Sequence, residues 1–362
     1  MIIGIDASSI TTEHKTGVEN ASYQLILHMA KLNHQHELIL YSPRPIESKM
    51  SDLKNVTVLL SSPARLWHTL RLPIELIRTK PDVFFTPSYM VPRLSRIKSV
   101  ALIHDLAFVH YPHAYSRTER KLQHYAAQRN AKYASALVFV SESTKRDFVN
   151  QYRCRTNNLS VIHLGYDSGR YNSDEKPSLA GLPKPYLLYV GRLEERKNIR
   201  RIIESFILFK KKSSSSHRLV LAGKPGYGSD AILTLLKDYD KHKNDIIFTG
   251  YVRDDQLPGL YSNADALLFP TLYEGFGLPL LESFASGTPV ITSNTSSLPE
   301  VAGDAALLVD PEKTSEIANA IDIITSDKLL AEKLQKKGIE RAKLFSWERS
   351  AKKLLGILEG IK

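Results

Sequence analysis

Unbroken apolar runs alternate with segments whose apolar positions recur every three to four residues. In the first half the runs are Ile2–Ala7, Leu38–Tyr41, Val56–Leu60, Val83–Thr86, Val100–Ile103 and Ala136–Val140, and helical patterns such as Glu19–Leu32 and Arg117–Tyr133 fill most of the gaps. A strand apolar at every position, rather than every second one, is covered on both faces. Such strands alternating with helices predict a parallel sheet flanked by helices. The second half repeats the scheme with Tyr186–Val190, Ile199–Lys211, Leu219–Ala222, Ile246–Phe248, Ala266–Phe269 and Pro289–Ile291. Between the halves, Ser168–Lys184 carries Gly169, Pro177, Gly181 and Pro183 and reads as a linker. The expected division is a domain over 1–165, a linker over 166–184, a domain over 185–345 and a closing helix within 346–362, with Ser346 as its N-cap.

One helical stretch is unusual. From Ser62 to Lys80, Leu66, Leu70, Ile74 and Ile77 share a face, interleaved with Arg65, Trp67, His68, Arg71 and Arg78, and Pro73 should interrupt it. A basic amphipathic helix with tryptophan is able to lie on anionic lipid. The expectation is that the stripe packs on its own sheet.

Composition narrows the classes. The 362 residues are 43% apolar and 24% charged, enough for about two globular domains of ~150 residues each. No run nears the ~18 apolar residues of a membrane span. The start, Met1 to Ala7, reads as a strand, not a signal peptide. The single cysteine, Cys154, excludes an internal disulfide and a cysteine metal cluster, and a reducing cytoplasm is the simplest compartment. The net charge of +11 is uneven: residues 1–165 hold 21 Lys and Arg against 12 Asp and Glu, the rest 28 against 26. That asymmetry points either to an anionic partner of the first half, an anionic membrane surface at the inner face of the cell membrane among them, or to solubility alone. Aromatic residues are not interleaved with the basic ones in a stacking pattern, so no nucleic-acid partner is expected.

The candidate chemistry centres on Leu268–Val290. The strand Ala266–Phe269 is followed by Pro270, a glycine-flanked loop from Glu274 to Gly277, and Pro279 in the first turn of a helix that holds Glu282 and ends at Gly287. A strand, a glycine loop and a helix N-terminus in that order form an anion site. Glu274 and Glu282 do not suit phosphate but suit neutral hydroxyls beside one, such as those of a ribose and a sugar. At the end of Tyr186–Val190, the loop Gly191-Arg192 to Lys197-Asn198 offers a planar fork and a point charge, both fitted to a diphosphate. His104 and Asp105 follow the strand Val100–Ile103, where ligands of open α/β sheets gather; the bland alternative is a core histidine satisfied by a carbonyl. No G-x-G-x-x-G follows the first strand and no D-x-D-like cluster is placed to hold a metal, so neither a cofactor nor a metal is expected.

Glu274, seven residues, then Glu282, with Gly287-Thr288-Pro289-Val290 behind, resembles the E-x7-E signature of the retaining family 4 glycosyltransferases. The resemblance implies the GT-B architecture, α/β with two Rossmann-like doubly wound parallel-sheet domains facing across a cleft. It implies that Glu274 and the amides of Gly275, Phe276, Gly277 and Leu278 hold the donor sugar and diphosphate, and that Glu282 holds the ribose. Arg192 and Lys197 would bind the diphosphate, His104 would reach the donor sugar with Asp105 orienting it, Val252 would border the base, and Gly17 would admit a donor phosphate. At that last place many members carry two glycines, and here Thr16 replaces one.

The implied reaction is metal-independent transfer of a hexose from a nucleotide sugar to a glycan or lipid-linked acceptor, with retention by front-side substitution. Y-E-G-F-G-L-P, S-S-L-P-E-V-A-G-D-A-A and F-S-W-E look most like bacterial mannosyl- or rhamnosyltransferases of surface polysaccharide assembly, which makes GDP-mannose the first choice of donor. The rival reading is a non-catalytic nucleotide-sugar or nucleic-acid binding protein with the same fold.

Overall fold

The computed structural model describes residues 1–11, 16–33, 35–61, 66–94, 97–173, 181–226 and 244–361. Residues 12–15 of the loop after the first strand, 62–65 of the amphipathic stretch and 174–180 of the linker lie outside that description. The chain forms two compact units. One comprises Met1–Leu106, Arg117–Gly165 and Ser346–Lys362, the other Ala107–Ser116 and Tyr166–Phe345.

The first unit is built on a parallel sheet of β1 (Ile2–Asp6), β2 (Glu37–Ser42), β3 (Val56–Leu60), β4 (Val83–Thr86), β5 (Lys98–Ile103), β6 (Ala136–Phe139) and β7 (Leu159–Val161), in the order β3-β2-β1-β4-β5-β6-β7. Every residue of β4 and β6 is buried, as continuous apolar strands covered on both faces require. The chain winds outward from β1 to β3 and returns to β4, so the direction of winding reverses between β1 and β4. The helix Gly17–Leu32 begins at a capping box in which Thr16 and Glu19 each bond the other's backbone N–H. Against it packs the last helix, Trp347–Gly360, whose N-cap Ser346 accepts from the Arg349 amide at 3.1 Å. Ser350 ties that helix down by donating to the carbonyl of His163 at 2.6 Å. A Cβ on Gly165 would fall 2.1 Å from the Trp347 nitrogen, so only glycine lets the two backbones meet there.

The amphipathic stretch corrects the expectation that its stripe packs inward. Trp67–Arg71 is a π-helical turn, with the Leu72 amide bonded to the Trp67 carbonyl, and the helix Leu72–Thr79 follows with Pro73 in its first turn. The wide turn spaces Trp67 and Leu72 five apart on one face, and Leu76 follows four later. These three join Ile39, Tyr41 and Phe84 in the core. The 3.6-residue phase fails across the wide turn. Leu66, Leu70, Ile74 and Ile77 therefore face solvent, with exposures of 62%, 54%, 47% and 57%. No helix among the described residues is long and apolar enough to cross a membrane.

The second unit holds a parallel sheet of β8 (Tyr186–Val190), β9 (Arg218–Ala222), β10 (Ile246–Gly250), β11 (Ala266–Phe269), β12 (Val290–Ser293) and β13 (Leu307–Val309), ordered β10-β9-β8-β11-β12-β13. Its winding reverses between β8 and β11. Asn198, in the left-handed conformation at the N-cap of Ile199–Lys212, donates from Nδ2 to the carbonyls of Pro270 at 2.8 Å and Pro311 at 2.7 Å. That buried amide pins the loop after β8 to the loop after β11. The segment Ala107–Ser116 folds with this unit, where His110 stacks on Tyr273 at 4.6 Å.

Candidate active site

Ligands of open α/β sheets collect at the carboxyl ends of the strands, where the winding reverses. In the second unit that place is the gap between β8 and β11, and the loops leaving those strands are bonded to each other. The Leu272 amide donates to the Arg196 carbonyl at 2.9 Å, and Arg196 Nη1 returns a bond to the Tyr273 carbonyl at 3.5 Å. Three expected residues meet here. Lys197 Nζ bonds Glu274 Oε1, with Arg196 Nη1 at 3.8 Å from Glu274 Oε2. Arg192 Nε and Arg196 Nε lie 3.0 and 3.3 Å from the two oxygens of Glu194. The result is a chain of alternating charge, Arg192–Glu194–Arg196–Glu274–Lys197, that ends in exposed guanidinium on one side and in a buried ammonium on the other. Burial holds the Lys197 ammonium below its ordinary value, against the pull of Glu274.

The loop after Glu274 is set from behind. The Glu274 amide donates to Ser296 Oγ at 3.2 Å, and the Ser297 hydroxyl is shared between the carbonyls of Glu274 and Phe276 at 2.9 and 3.0 Å. Gly275 and Phe276 are buried. Gly277, at φ 109°, caps the helix Leu278–Ala285, and a Cβ there would also strike Leu298 at 2.7 Å. Pro279 has no N–H and the Leu280 amide is taken by the Gly277 carbonyl at 3.0 Å, so in the first turn of that helix the Leu278 N–H is the leading donor without an intrahelical acceptor.

Glu282, one turn into the helix, has different company. Tyr261 donates to its Oε2 at 2.8 Å, and burial pushes the carboxyl up to about 7 against that bond and the charge of Arg170. Val252 is half-buried in the turn after the edge strand β10, beside Tyr251, whose ring lies under Lys224 Nζ at 4.6 Å.

In the first unit, Gly17 opens its helix, and a Cβ on it would meet nothing within 4 Å. His104 Nε2 donates to the Pro87 carbonyl at 2.7 Å, and burial holds the imidazole below its ordinary value while Asp105 pulls it up. The carbonyl that satisfies His104 is the bland alternative raised by the sequence.

Sequence reasoning misses Glu194, Arg196 and Tyr261. The first two stand in the same charged loop as Arg192 and Lys197, and their position there is a usable signal. Tyr261 lies in a short helix, Leu257–Ser262, 21 positions before Glu282, and nothing local marks it.

Comparison with known proteins identifies the class. The chain superposes on sucrose-phosphate synthase from Thermosynechococcus elongatus with a TM-score of 0.79 at 21% identity, covering 100% of this chain and 99% of that one. Its two Rossmann-like parallel-sheet domains are the GT-B fold, and the chain is a glycosyltransferase. Residues 15–170 match the family model "Glycosyltransferase Family 4" and residues 172–342 match "Glycosyl transferases group 1". The chain belongs to the family that joins these two domains. It is 28% identical over 357 residues to O-antigen chain mannosyltransferase B of Escherichia coli, covering 92% of this chain and 93% of that protein. An O-antigen chain mannosyltransferase of Salmonella typhimurium is 29% identical over 257 residues, 70% of this chain and 67% of its own length.

Proposed function

We propose that this glycosyltransferase moves a hexose from a nucleotide sugar to a hydroxyl of a glycan or lipid-linked saccharide, with retention at the anomeric carbon and without a divalent metal. The observation that carries the reading is the meeting of Arg192, Arg196, Lys197 and Glu274 at the reversal of the second sheet, beside the start of the helix Leu278–Ala285. Glu274 has oxygen capacity left for sugar hydroxyls, since a carboxylate accepts at about four positions. An ammonium has three N–H bonds, and Lys197 spends one on Glu274, so it still has donors for a departing diphosphate. Arg192, exposed at the rim, adds a second cation. Charge that grows on the leaving phosphate falls on these groups and on the Leu278 amide at the start of the helix. The departing phosphate then takes the acceptor's proton on the same face of the sugar. Glu282 is assigned to the ribose.

Mannose is the sugar of choice, supported by the names of the two O-antigen relatives, and a guanine nucleotide is its proposed carrier. We place the reaction on the cytoplasmic side of an anionic membrane. The support is the solvent-facing stripe Leu66, Leu70, Ile74 and Ile77 beside exposed Arg78 and Lys80, in the half of the chain with the larger positive excess. A thermal-shift series with GDP, UDP, ADP and dTDP, followed by product analysis with GDP-mannose and octyl α-D-mannopyranoside, tests the reading. Stabilisation by GDP and an α-linked product support it. Stabilisation by none of the four removes the donor site.

A further inference from the structure

Glu282 is held by groups to which no role has been given, and all of them lie within the second unit. Tyr261 is fully buried in the short helix Leu257–Ser262 and donates to Glu282 Oε2 at 2.8 Å. That helix is fixed from two sides. The Tyr186 hydroxyl in β8 donates to the Leu260 carbonyl at 2.7 Å, and Thr288 Oγ1 donates to the Tyr261 carbonyl at 2.7 Å. A second phenol, Tyr171, is 4% exposed and donates to the same carboxylate. Its ring meets that of Tyr261 edge-on, with centroids 5.8 Å apart. Tyr171 is carried by a turn that Asp167 closes: the Asp167 carbonyl accepts from the amides of Arg170 and Tyr171 at 3.1 and 2.9 Å, and its Oδ1 accepts from the Gly169 amide at 3.1 Å. From the same turn, Arg170 Nη1 reaches Asp254 Oδ2 at 3.3 Å, beyond the end of β10.

Two phenols on one carboxylate make a directional arrangement. Burial raises both hydroxyls well above their ordinary value and the charge of Glu282 adds to it, so each stays a donor. A carboxylate accepts at about four positions, and the two phenols fill two of them. About two remain, and Glu282 is itself partly exposed. A pair of adjacent hydroxyls brings two donors and fits; a phosphate brings only more negative charge. The charge of the acceptor matters too, because hydrogen bonds to an ionised group are roughly twice as strong as neutral ones. The surroundings of Glu282 pull in both directions. Burial pushes the carboxyl up to about 7 and Asp254 adds to this, whereas Tyr261, Arg170 and Tyr171 favour the charged form.

We propose that Tyr261 and Tyr171 are positioning residues that hold Glu282 as a two-oxygen anionic acceptor for the vicinal hydroxyls of the nucleotide's ribose. This rests on the reading above that gives Glu282 to the ribose. Both phenols are too deeply buried to touch the nucleotide. They act through the carboxylate, by fixing its oxygens and by favouring its charge. Recognition of the ribose then follows pH: the carboxylate is lost as pH falls through about 7, and the grip on the two hydroxyls weakens with it.

The experiment titrates the full chain with GDP and with 2′,3′-dideoxy-GDP by calorimetry between pH 6 and pH 8. Both ligands carry the same phosphates, so phosphate titration cancels in the ratio of their affinities. Wild type is expected to prefer GDP, and to lose most of that preference from pH 8 to pH 6. Tyr261→Phe and Tyr171→Phe are each expected to bind GDP about ten-fold more weakly at pH 7, the scale of one hydrogen bond to a charged group. Their affinity for the dideoxy nucleotide should change by less than about two-fold, on the same scale. Each variant should also move the half-point of the preference to higher pH, because a donor that favours the charged form is gone. Equal losses for the two ligands would make the phenols supports of the fold alone and overturn the proposal. So would a wild-type preference that is flat across this pH range. If Tyr261→Phe does not fold, Tyr171→Phe and the wild-type pH profile decide. A wild-type chain that binds no GDP, or binds both nucleotides equally, removes the ribose role of Glu282 and takes this inference with it. A wild type that prefers GDP, with variants that keep the full preference, removes the inference alone.

Discussion

Lys197 and Glu274 stand 77 positions apart in the chain, yet the ammonium of one bonds the carboxylate of the other where β8 and β11 end. Each is largely buried, and each is the other's main compensation. A pair of this kind is a poor source of net stability but is expensive to break, because the survivor is left charged and desolvated.

Lys197→Met alone and Glu274→Gln alone are therefore expected to lose about 3–5 kcal/mol by urea unfolding, and the double variant less than the sum of the two. Transfer should fall by ~10²–10³ in Lys197→Met, the cost of one preorganised charge stabiliser. Additive losses of stability would show that the two side chains do not compensate each other.

Glu282 sets a pH signature. Its folded value of about 7 lies above the ordinary 4.5, so the fold favours the neutral carboxyl. That contribution is complete below pH 4.5 and is lost as pH rises through 7. Glu282→Gln cannot ionise. Its stability relative to wild type should rise between pH 5 and pH 8 by up to roughly 3 kcal/mol. Equal differences at the two pH values would contradict the burial argument.

Activity should persist in excess EDTA, because Arg192, Arg196 and Lys197 supply the positive charge that a metal would otherwise bring to the diphosphate. Loss on chelation with recovery on adding magnesium or manganese is the contrary result.

The exposed stripe predicts adsorption to lipid. Cosedimentation with vesicles containing phosphatidylglycerol should exceed that with neutral phosphatidylcholine and weaken with salt. Leu70→Asp with Ile74→Asp should abolish it without altering the GDP-induced thermal shift, since both side chains face solvent. Equal binding by that variant would move the contact elsewhere.

What the sequence discloses follows burial. Val83–Thr86 and Ala136–Phe139 are legible as strands because both faces are covered and every position is apolar or nearly so. β7 and β13 escape notice: at three residues each, with only Val161 and Val309 buried, they offer no run to read. The stretch after Leu66 misleads because a five-residue turn breaks the 3.6-residue count. Arg192, Lys197 and Glu274 are marked by position at strand ends, but their mutual contacts are long-range and leave no local trace. Asp6 is absorbed into an apolar strand, and its partners Trp67 and His68 lie 61 and 62 positions away.

The helix Trp347–Gly360, packed on Gly17–Leu32, has a consequence for birth on the ribosome. Domains ordinarily fold in the order in which they emerge. Here the amino-terminal sheet emerges early but lacks one covering helix until Ser346–Lys362 has been translated, while the other unit needs nothing beyond Phe345. The nascent chain must carry a partly uncovered Gly17–Leu32 until that late helix has been made. The half that is made first is finished last.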